Sequence, residues 1–485
     1  MNVDAPAPSV EPLQRLADQA FSRAAGAPLI GGNRARILRD AAEHFPVWKE
    51  AIAAARRSIF FECYIFSNDA VGREFVAALE ERARAGVAVR VIYDWLGSRG
   101  AKRLFAPLVA AGGEVRCFNP PGLASPFGWL TRDHRKMLAV DGRVGFVTGL
   151  CVSSKWLGDP ARGAEPWRDT GIELRGPAVP ALERAFADVW AAIGDPLPMD
   201  ACTRADAAQP AGEVSVRVIA SVPSSAGVFR LDQLVAAGAR TRLWLTDAYF
   251  IAVTPYVQAL CAAARDGVDV RLLVPGASDL PVVSRLSRAG YRPLLEAGVR
   301  IFEWNGTMLH AKSAIADDGW ARIGSTNLNL ASFVSNYELD VAIEDPATVE
   351  TLARIYEEDL TRSTEIVLGR RARLRRAAGP ARTRRARRAF AGSAGRAAAG
   401  AIGVGAAVGA AITNRRLLGP PEVGLLWAVA GALAAFAAVG VLWPPLLAWP
   451  FALLAGWLAI AAVVRAIRES RAKRKGRPDR QRGWP

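Results

Sequence analysis

One spacing of polar groups occurs twice, once in each half of the first three-quarters of the chain. His134-Arg-Lys136-Met-Leu-Ala-Val-Asp141 and His310-Ala-Lys312-Ser-Ala-Ile-Ala-Asp317 both read His-x-Lys, then x-x-x-x, then Asp. The flanks repeat as well. Arg56–Phe66 parallels Arg240–Phe250, a basic start running into an apolar strand that ends in an aromatic. Amphipathic helical stretches follow near 70–85 and 255–265. Next come Gly86–Ile92 and Gly267–Leu273, each a β-branched strand entered from a glycine, and then Ala111–Phe118 and Ala297–Phe302. Strands alternating with helices predict an α/β unit with a largely parallel or mixed sheet. Two copies predict a bilobed body with halves at 29–200 and 213–369, joined near Asp206-Ala-Ala-Gln-Pro-Ala-Gly-Glu213.

The chain has only three histidines, and two of them hold the same place in the two copies. His44, between Glu43 and Phe45, has no such company and reads as structural. Period-2 alternation puts the His and Lys of each motif on one face of a strand. If the halves pack about a pseudo-twofold, both pairs converge on one cleft. Two imidazoles and two ammonium groups around a pocket suit a tetrahedral anion. The lysines neutralise the non-bridging oxygens of a phosphodiester, one histidine attacks phosphorus, and the other protonates the leaving alcohol. Neither a Cys/His cluster nor a carboxylate set suggests a metal, and no glycine-rich phosphate loop suggests a nucleotide cofactor.

At 485 residues the chain is long enough for about two to four domains. Its 51% hydrophobic and 22% charged content excludes a disordered or collagenous chain. Five scattered cysteines give no even disulfide framework and favour a reducing compartment, and the polar, Ala-rich N-terminus does not read as a signal peptide.

The net charge of +16 is unevenly spread. Residues 370–396 carry eleven Arg and no acid, the tail 465–485 carries nine basic groups against Glu469 and Asp479, and residues 1–369 sum to −3. The large domain is therefore not a basic nucleic-acid binder, and no nucleic-acid partner is expected. Between the basic runs, 423–443 and 446–464 hold no charge and are separated by Pro444-Pro445. Each is long enough to span a bilayer, which predicts a C-terminal transmembrane helical hairpin. Basic flanks on both sides put the catalytic domain and the tail together on the cytoplasmic face, with anionic lipid as the partner of the Arg-rich runs. Residues 397–413, short and rich in Ala and Gly, are left open as an extra segment of this membrane region, 397–464.

The duplicated motif resembles the signature of the phospholipase D superfamily, and the flanking pieces most resemble its bacterial cardiolipin synthases. Those pieces include Glu62-Cys-Tyr-Ile-Phe66, Asp94-Trp-Leu-Gly-Ser98, Trp167-Arg-Asp169, Leu273–Asp279, Gly324-Ser-Thr-Asn327 and Asn336-Tyr-Glu338. The resemblance implies phosphatidyl transfer between two phospholipids, such as phosphatidylglycerol, through a phosphatidyl-histidine, in a bacterial inner membrane and without cofactor or metal. A phospholipase D hydrolase releasing phosphatidic acid is the alternative. It further implies His134 as nucleophile and His310 as acid and base, with Lys136 and Lys312 on the phosphate. Asp141 and Asp317 would hold the motif strands within the pocket wall, and Asp169 and Glu338 would orient the imidazoles. In the family an Asn at a fixed distance past each histidine donates to phosphate. Asn327 fits, but the matching position of the first half is Cys151, a weak donor, so that Ser153 or Ser154 is expected to help. Oligomeric state is not legible.

Overall fold

The computed structural model describes residues 10–121, 131–159, 161, 163–368 and 374–376, together with isolated helical positions between 431 and 463. Packing divides the chain into two compact units, 1–118 with 132–415 and 119–131 with 416–485.

The first unit is built on sixteen strands. In the first half these are β1 Ile30–Arg39, β2 Ser58–Cys63, β3 Ala88–Asp94, β4 Glu114–Phe118, β5 Lys136–Val140, β6 Val144–Thr148 and β7 Thr170–Arg175. The second half supplies β8 Val214–Ser221, β9 Arg242–Thr246, β10 Asp269–Pro275, β11 Arg300–Trp304, β12 Ser313–Ala316, β13 Trp320–Gly324 and β14 Glu338–Glu344. Two further strands, β15 Ser363–Leu368 and β16 Leu374–Arg376, extend the second half beyond β11.

From the middle outward the order is β1-β7-β6-β5-β2-β3-β4 one way and β8-β14-β13-β12-β9-β10-β11 the other. The halves match strand for strand and meet where β1 pairs antiparallel with β8. Within each half the outer strands β2-β3-β4 and β9-β10-β11 run parallel and the rest antiparallel. The sheet is mixed, and the fold is a duplicated α/β unit.

Three cores account for the layers. Val147, Ile172 and Leu174 of the first half share one cluster with Ile323, Leu339 and Val341 of the second, together with helices Val179–Ala192 and Pro346–Thr361. A second cluster seats helices Asp40–Ala54 and Ala70–Arg84 on the first half. A third seats Gly227–Gly238 and Thr254–Arg265 on the second. Strands β5 and β6 are buried along their whole length, which is why they read as continuous apolar runs. His44 is buried too, with Nδ1 on the Asp40 carbonyl at 2.7 Å and Nε2 at 3.2 Å from the Thr148 hydroxyl.

In the second unit, the expected spans 423–443 and 446–464 lie largely outside the described residues, and the tail 465–485 lies wholly outside them. So do 397–413 and nearly all of 370–396. Among the described residues no helix is long and apolar enough to cross a membrane.

One buried ion cluster is a strong test of this packing. Arg322 on β13 donates to both oxygens of Asp232 at 3.0 and 2.9 Å and to Asp340 at 2.8 Å, with all three side chains shut off from water. Asp232→Ala leaves the guanidinium undercompensated and is expected to cost about 3–5 kcal/mol in urea denaturation. Glu74→Ala, which breaks the exposed 3.2 Å pair with Lys49, is expected to cost under about 1 kcal/mol.

Candidate active site

Each motif histidine sits just before its strand rather than on it, since β5 begins at Lys136 and β12 at Ser313. The cause is a backbone pairing with the other half. Asp133 and Tyr337 form a short parallel bridge, as do Arg168 and Leu309. His134 N–H donates to the Tyr337 carbonyl at 2.9 Å, and His310 N–H to the Arg168 carbonyl at 2.7 Å. Each bridge sets the next residue of one segment beside the next residue of the other. His134 thus meets Glu338, and His310 meets Asp169.

The side chains complete these pairs. His134 Nδ1 donates to Glu338 Oε2 at 2.9 Å and His310 Nδ1 to Asp169 Oδ2 at 2.9 Å. A carboxylate can only accept, so each ring carries its proton on Nδ1 and offers the Nε2 lone pair to the cleft that both rings line. The pairing is crossed: Asp169 orients the histidine of the second half and Glu338 that of the first. The sequence places each carboxylate downstream of its own histidine, but the tertiary bridges exchange them.

The carboxylates are themselves held. Trp156 Nε1 donates to Asp169 Oδ2 at 2.9 Å, and Ser325 Oγ to Glu338 Oε2 at 2.6 Å. Gly149 occupies the position in the first half that Ser325 holds in the second, and a Cβ there would lie 2.3 Å from Asp169 Oδ1. Trp156 gave no sequence signal for this role, because its contact depends on the turn at Ser154–Trp156.

Burial sets the protonation states. It drives the His134 pKa down to about 4, against the pull of Glu338, and together with the Lys312 charge takes His310 down to about 3. Burial would raise both carboxylates. For Asp169 the effect is outweighed by His310, Lys312 and the Trp156 indole, and for Glu338 by His134, Lys136 and Ser325, so both lie below the usual range. Burial also lowers Lys312. The site therefore holds two neutral imidazoles on two carboxylates.

Lys136 and Lys312 are both buried, and each ammonium donates to the carbonyl of the histidine before it in its motif. Lys136, Asn327 and Cys151 line the cleft with the histidines, while Trp156, Trp167, Ile251, Leu280 and Val283 supply apolar wall. The Asn327 amide oxygen is buried and has no hydrogen-bond partner among the described residues. Cys151 lies beside Cys63. Burial would raise its thiol, but the hydrogen bond from Cys63, the Lys136 charge and the Ile65 N–H bring it below the usual value.

Two expectations need correction. Asp141 and Asp317 do not line the cleft; they stand beyond the far ends of β5 and β12. Asp141 accepts the N–H groups of Arg56, Arg57 and Ser58 at 2.9, 2.7 and 2.9 Å. Asp317 accepts those of Arg240, Thr241 and Arg242 at 3.0, 2.7 and 3.2 Å. Both adopt positive φ, 55° and 48°, which aspartate tolerates better than most residues. They pin the turn to the neighbouring strand and touch no reacting group. Ser153 and Ser154 also face away, with both hydroxyls on Asp69 Oδ2 at 3.1 and 2.9 Å. Among the described residues no cluster of His, Cys, Asp or Glu is arranged to hold a metal ion.

The same architecture is found in known proteins. The family described as "Cardiolipin synthase, PLD-like domain" matches residues 234–360. A cardiolipin synthase of Halalkalibacterium halodurans is 34% identical over 361 residues, 73% of this chain and 71% of the relative. The chain belongs to the phospholipase D-type cardiolipin synthase family. Cardiolipin synthase A of Pseudomonas aeruginosa is 33% identical over 364 residues, 74% of this chain and 73% of the relative. Among solved structures, a phosphatidylserine synthase of Haemophilus influenzae superposes with a TM-score of 0.56 at 13% identity, covering 72% of this chain and 91% of that one, and shows the same fold.

The cleft of this synthase-family chain carries a signature in stability against pH. Neutral buried imidazoles resist protonation that the unfolded chain accepts near pH 6.5, so their contribution to stability is full above that pH. It is lost as the pH falls toward about 4, at roughly 1.4 kcal/mol per unit for each histidine. Urea midpoints should fall between pH 7 and 5 for the wild type and fall less for a His134→Asn, His310→Asn double variant. Separately, Cys151→Asn gives the first half the amide that the second half has at Asn327, which lines the same cleft, and should retain or raise turnover. A hundredfold loss in a folded variant would mean that the thiol itself is needed.

Proposed function

We propose that the chain is a membrane-anchored phosphatidyltransferase that makes cardiolipin from two molecules of phosphatidylglycerol. The observation that carries this reading is the pair of crossed histidine–carboxylate contacts on a cleft lined by Lys136, with Lys312 buried beside His310. It gives one neutral imidazole to attack phosphorus and a second, equally oriented, to move the proton.

His134 Nε2 attacks the phosphodiester of the donor, forming a P–N bond as the bond to the head-group oxygen breaks. The departing glycerol takes its proton from His310 Nε2. Burial and the Lys312 charge favour neutral His310, and the negative charge of a bound phosphodiester raises its affinity for that proton. Lys136, Lys312, Asn327 and Cys151 are the donors for the phosphate oxygens. In the second step the hydroxyl of another phosphatidylglycerol gives its proton to His310 Nε2, its oxygen attacks phosphorus, and the P–N bond breaks. Two phosphatidylglycerols become cardiolipin and free glycerol. Asp169 and Glu338 keep both rings in the Nδ1–H tautomer throughout.

In this reading residues 29–200 and 213–369 are the two catalytic repeats, 370–396 a basic juxtamembrane linker and 397–464 the membrane region, with the catalytic domain and the tail 465–485 cytoplasmic. The charge-free lengths of 423–443 and 446–464 support a hairpin. So do exposed apolar side chains at helical positions within them, at Leu442, Trp449, Leu453, Ile460 and Val463. Anionic lipid beside the Arg-rich flanks would hold the cleft where hydroxyl-bearing lipids are dense.

Vesicles of phosphatidylglycerol with the purified full-length protein should yield cardiolipin plus glycerol without added nucleotide or metal. Phosphatidic acid as the main product would replace transferase with hydrolase. His310→Ala should abolish turnover, and near-wild-type cardiolipin synthesis by that variant would overturn the paired-histidine mechanism.

A further inference from the structure

The pseudo-twofold symmetry of the site also breaks in the charged groups that rim the cleft. Each half sets a tyrosine edge-on to its histidine, Tyr64 to His134 with ring centroids 5.0 Å apart and Tyr249 to His310 at 5.8 Å. What lies beside each tyrosine differs. In the first half the acid that ends β3, Asp94, is fully buried and pairs with Arg132 at 3.2 Å, and Arg132 lines the cleft. In the second half the loop after β10 brings Asp279 to the cleft, and its Oδ1 accepts the Tyr249 hydroxyl at 2.8 Å. Among the described residues that line the cleft, Asp279 is the only carboxylic acid. The His134 side is therefore rimmed by a guanidinium and the His310 side by a carboxylate–phenol pair.

Nothing in binding a phosphodiester anion calls for a carboxylate, which repels it. A carboxylate can accept more donors than Tyr249 alone supplies, and the donors that arrive at His310 are the hydroxyls of the acceptor alcohol. We infer that Asp279 and Tyr249 form an acceptor subsite for a vicinal diol head group, one hydroxyl reaching His310 Nε2 while its neighbour donates to Asp279. This rests on the transferase reading above and names which alcohol the intermediate prefers. The Tyr249 ring lies against the His310 ring and its hydroxyl meets Asp279, so a glycerol head group lying along the phenol would reach from the imidazole toward the carboxylate. An ammonium head group would satisfy Asp279 equally but would share the cleft with Lys136 and Arg132, whereas a neutral diol carries no such cost. Water has no second hydroxyl to anchor, so the subsite favours transfer over hydrolysis.

Backbone hydrogen bonds hold the segments that carry the two side chains. Gly276 N–H donates to the Trp304 carbonyl at 3.0 Å, and Leu280 N–H to Ser278 Oγ at 3.1 Å, which fixes the loop on either side of Asp279. The Tyr249 backbone is tied by its N–H to Asp247 Oδ2 at 3.1 Å and by Asn329 Nδ2 to its carbonyl at 3.0 Å. Donors and acceptors held in this way discriminate between alcohols because a ligand with a matching second hydroxyl gains a hydrogen bond that a monohydric alcohol cannot make.

The test is a competition among soluble acceptors, with full-length protein in phosphatidylglycerol vesicles supplied with equimolar labelled glycerol, 1-propanol and ethanolamine. The wild type should favour glycerol. Asp279→Asn should lower the ratio of glycerol to propanol product roughly tenfold, the scale of one hydrogen bond to a charged group. Tyr249→Phe, which keeps the ring, should lower it in the same direction by a smaller factor. Equal losses of both products in both variants would overturn the subsite, and so would a wild type that prefers ethanolamine. A wild type that transfers to no alcohol while it hydrolyses phosphatidylglycerol would instead remove the transferase reading on which the inference stands.

Discussion

Two hydrogen bonds of 2.9 Å, His134 to Glu338 and His310 to Asp169, join distant parts of the chain and tie the two halves into one catalytic unit. Each half supplies a histidine and the carboxylate for the other half's histidine, so neither copy contains a complete pair. The parallel bridges at Asp133–Tyr337 and Arg168–Leu309 make this crossing geometrically obligatory, because each ends immediately before the groups it brings together. Burial keeps the imidazoles neutral, while the lysine charges and the hydrogen bonds from the imidazoles, Trp156 and Ser325 keep the carboxylates ionised. Packing and chemistry are here the same constraint.

Much of this was legible in the chain. The motif strands, their neighbours and the duplicated order of elements could be read from apolar runs and glycine entries, because those signals are local. The convergence of His134 and His310 could be read from duplication alone. The crossing of the carboxylates could not, since it depends on which backbone segments pair across the pseudo-twofold, and no local pattern around Asp169 or Glu338 encodes that. The same holds for Trp156, whose indole reaches Asp169 only because a short turn carries it there.

Asp141 and Asp317 show a different limit. A repeated motif places them in step with His and Lys, and the repetition suggests a shared cleft. Yet strands as short as β5 and β12 still separate their ends by about 13–17 Å, so a residue beyond the last position stands at the opposite edge of the sheet. Their role is to accept three backbone N–H groups each and hold a turn at positive φ. Repetition of a residue thus reports that a position is constrained, whereas the fold decides whether the constraint is chemical or architectural.

The central claim is that one histidine carries the phosphatidyl group and its crossed counterpart moves the proton. The most direct measurement is mass spectrometry of peptides from acid-free digests after a brief reaction, in wild type and in His310→Ala. Two donors serve: phosphatidylglycerol, and a phosphatidyl nitrophenyl ester whose leaving group needs no proton. The account predicts a phosphatidyl adduct on the peptide containing His134, formed from both donors by the wild type and from the nitrophenyl ester alone by the variant. An adduct on His310 in the wild type, or none on either histidine during active turnover, would contradict it.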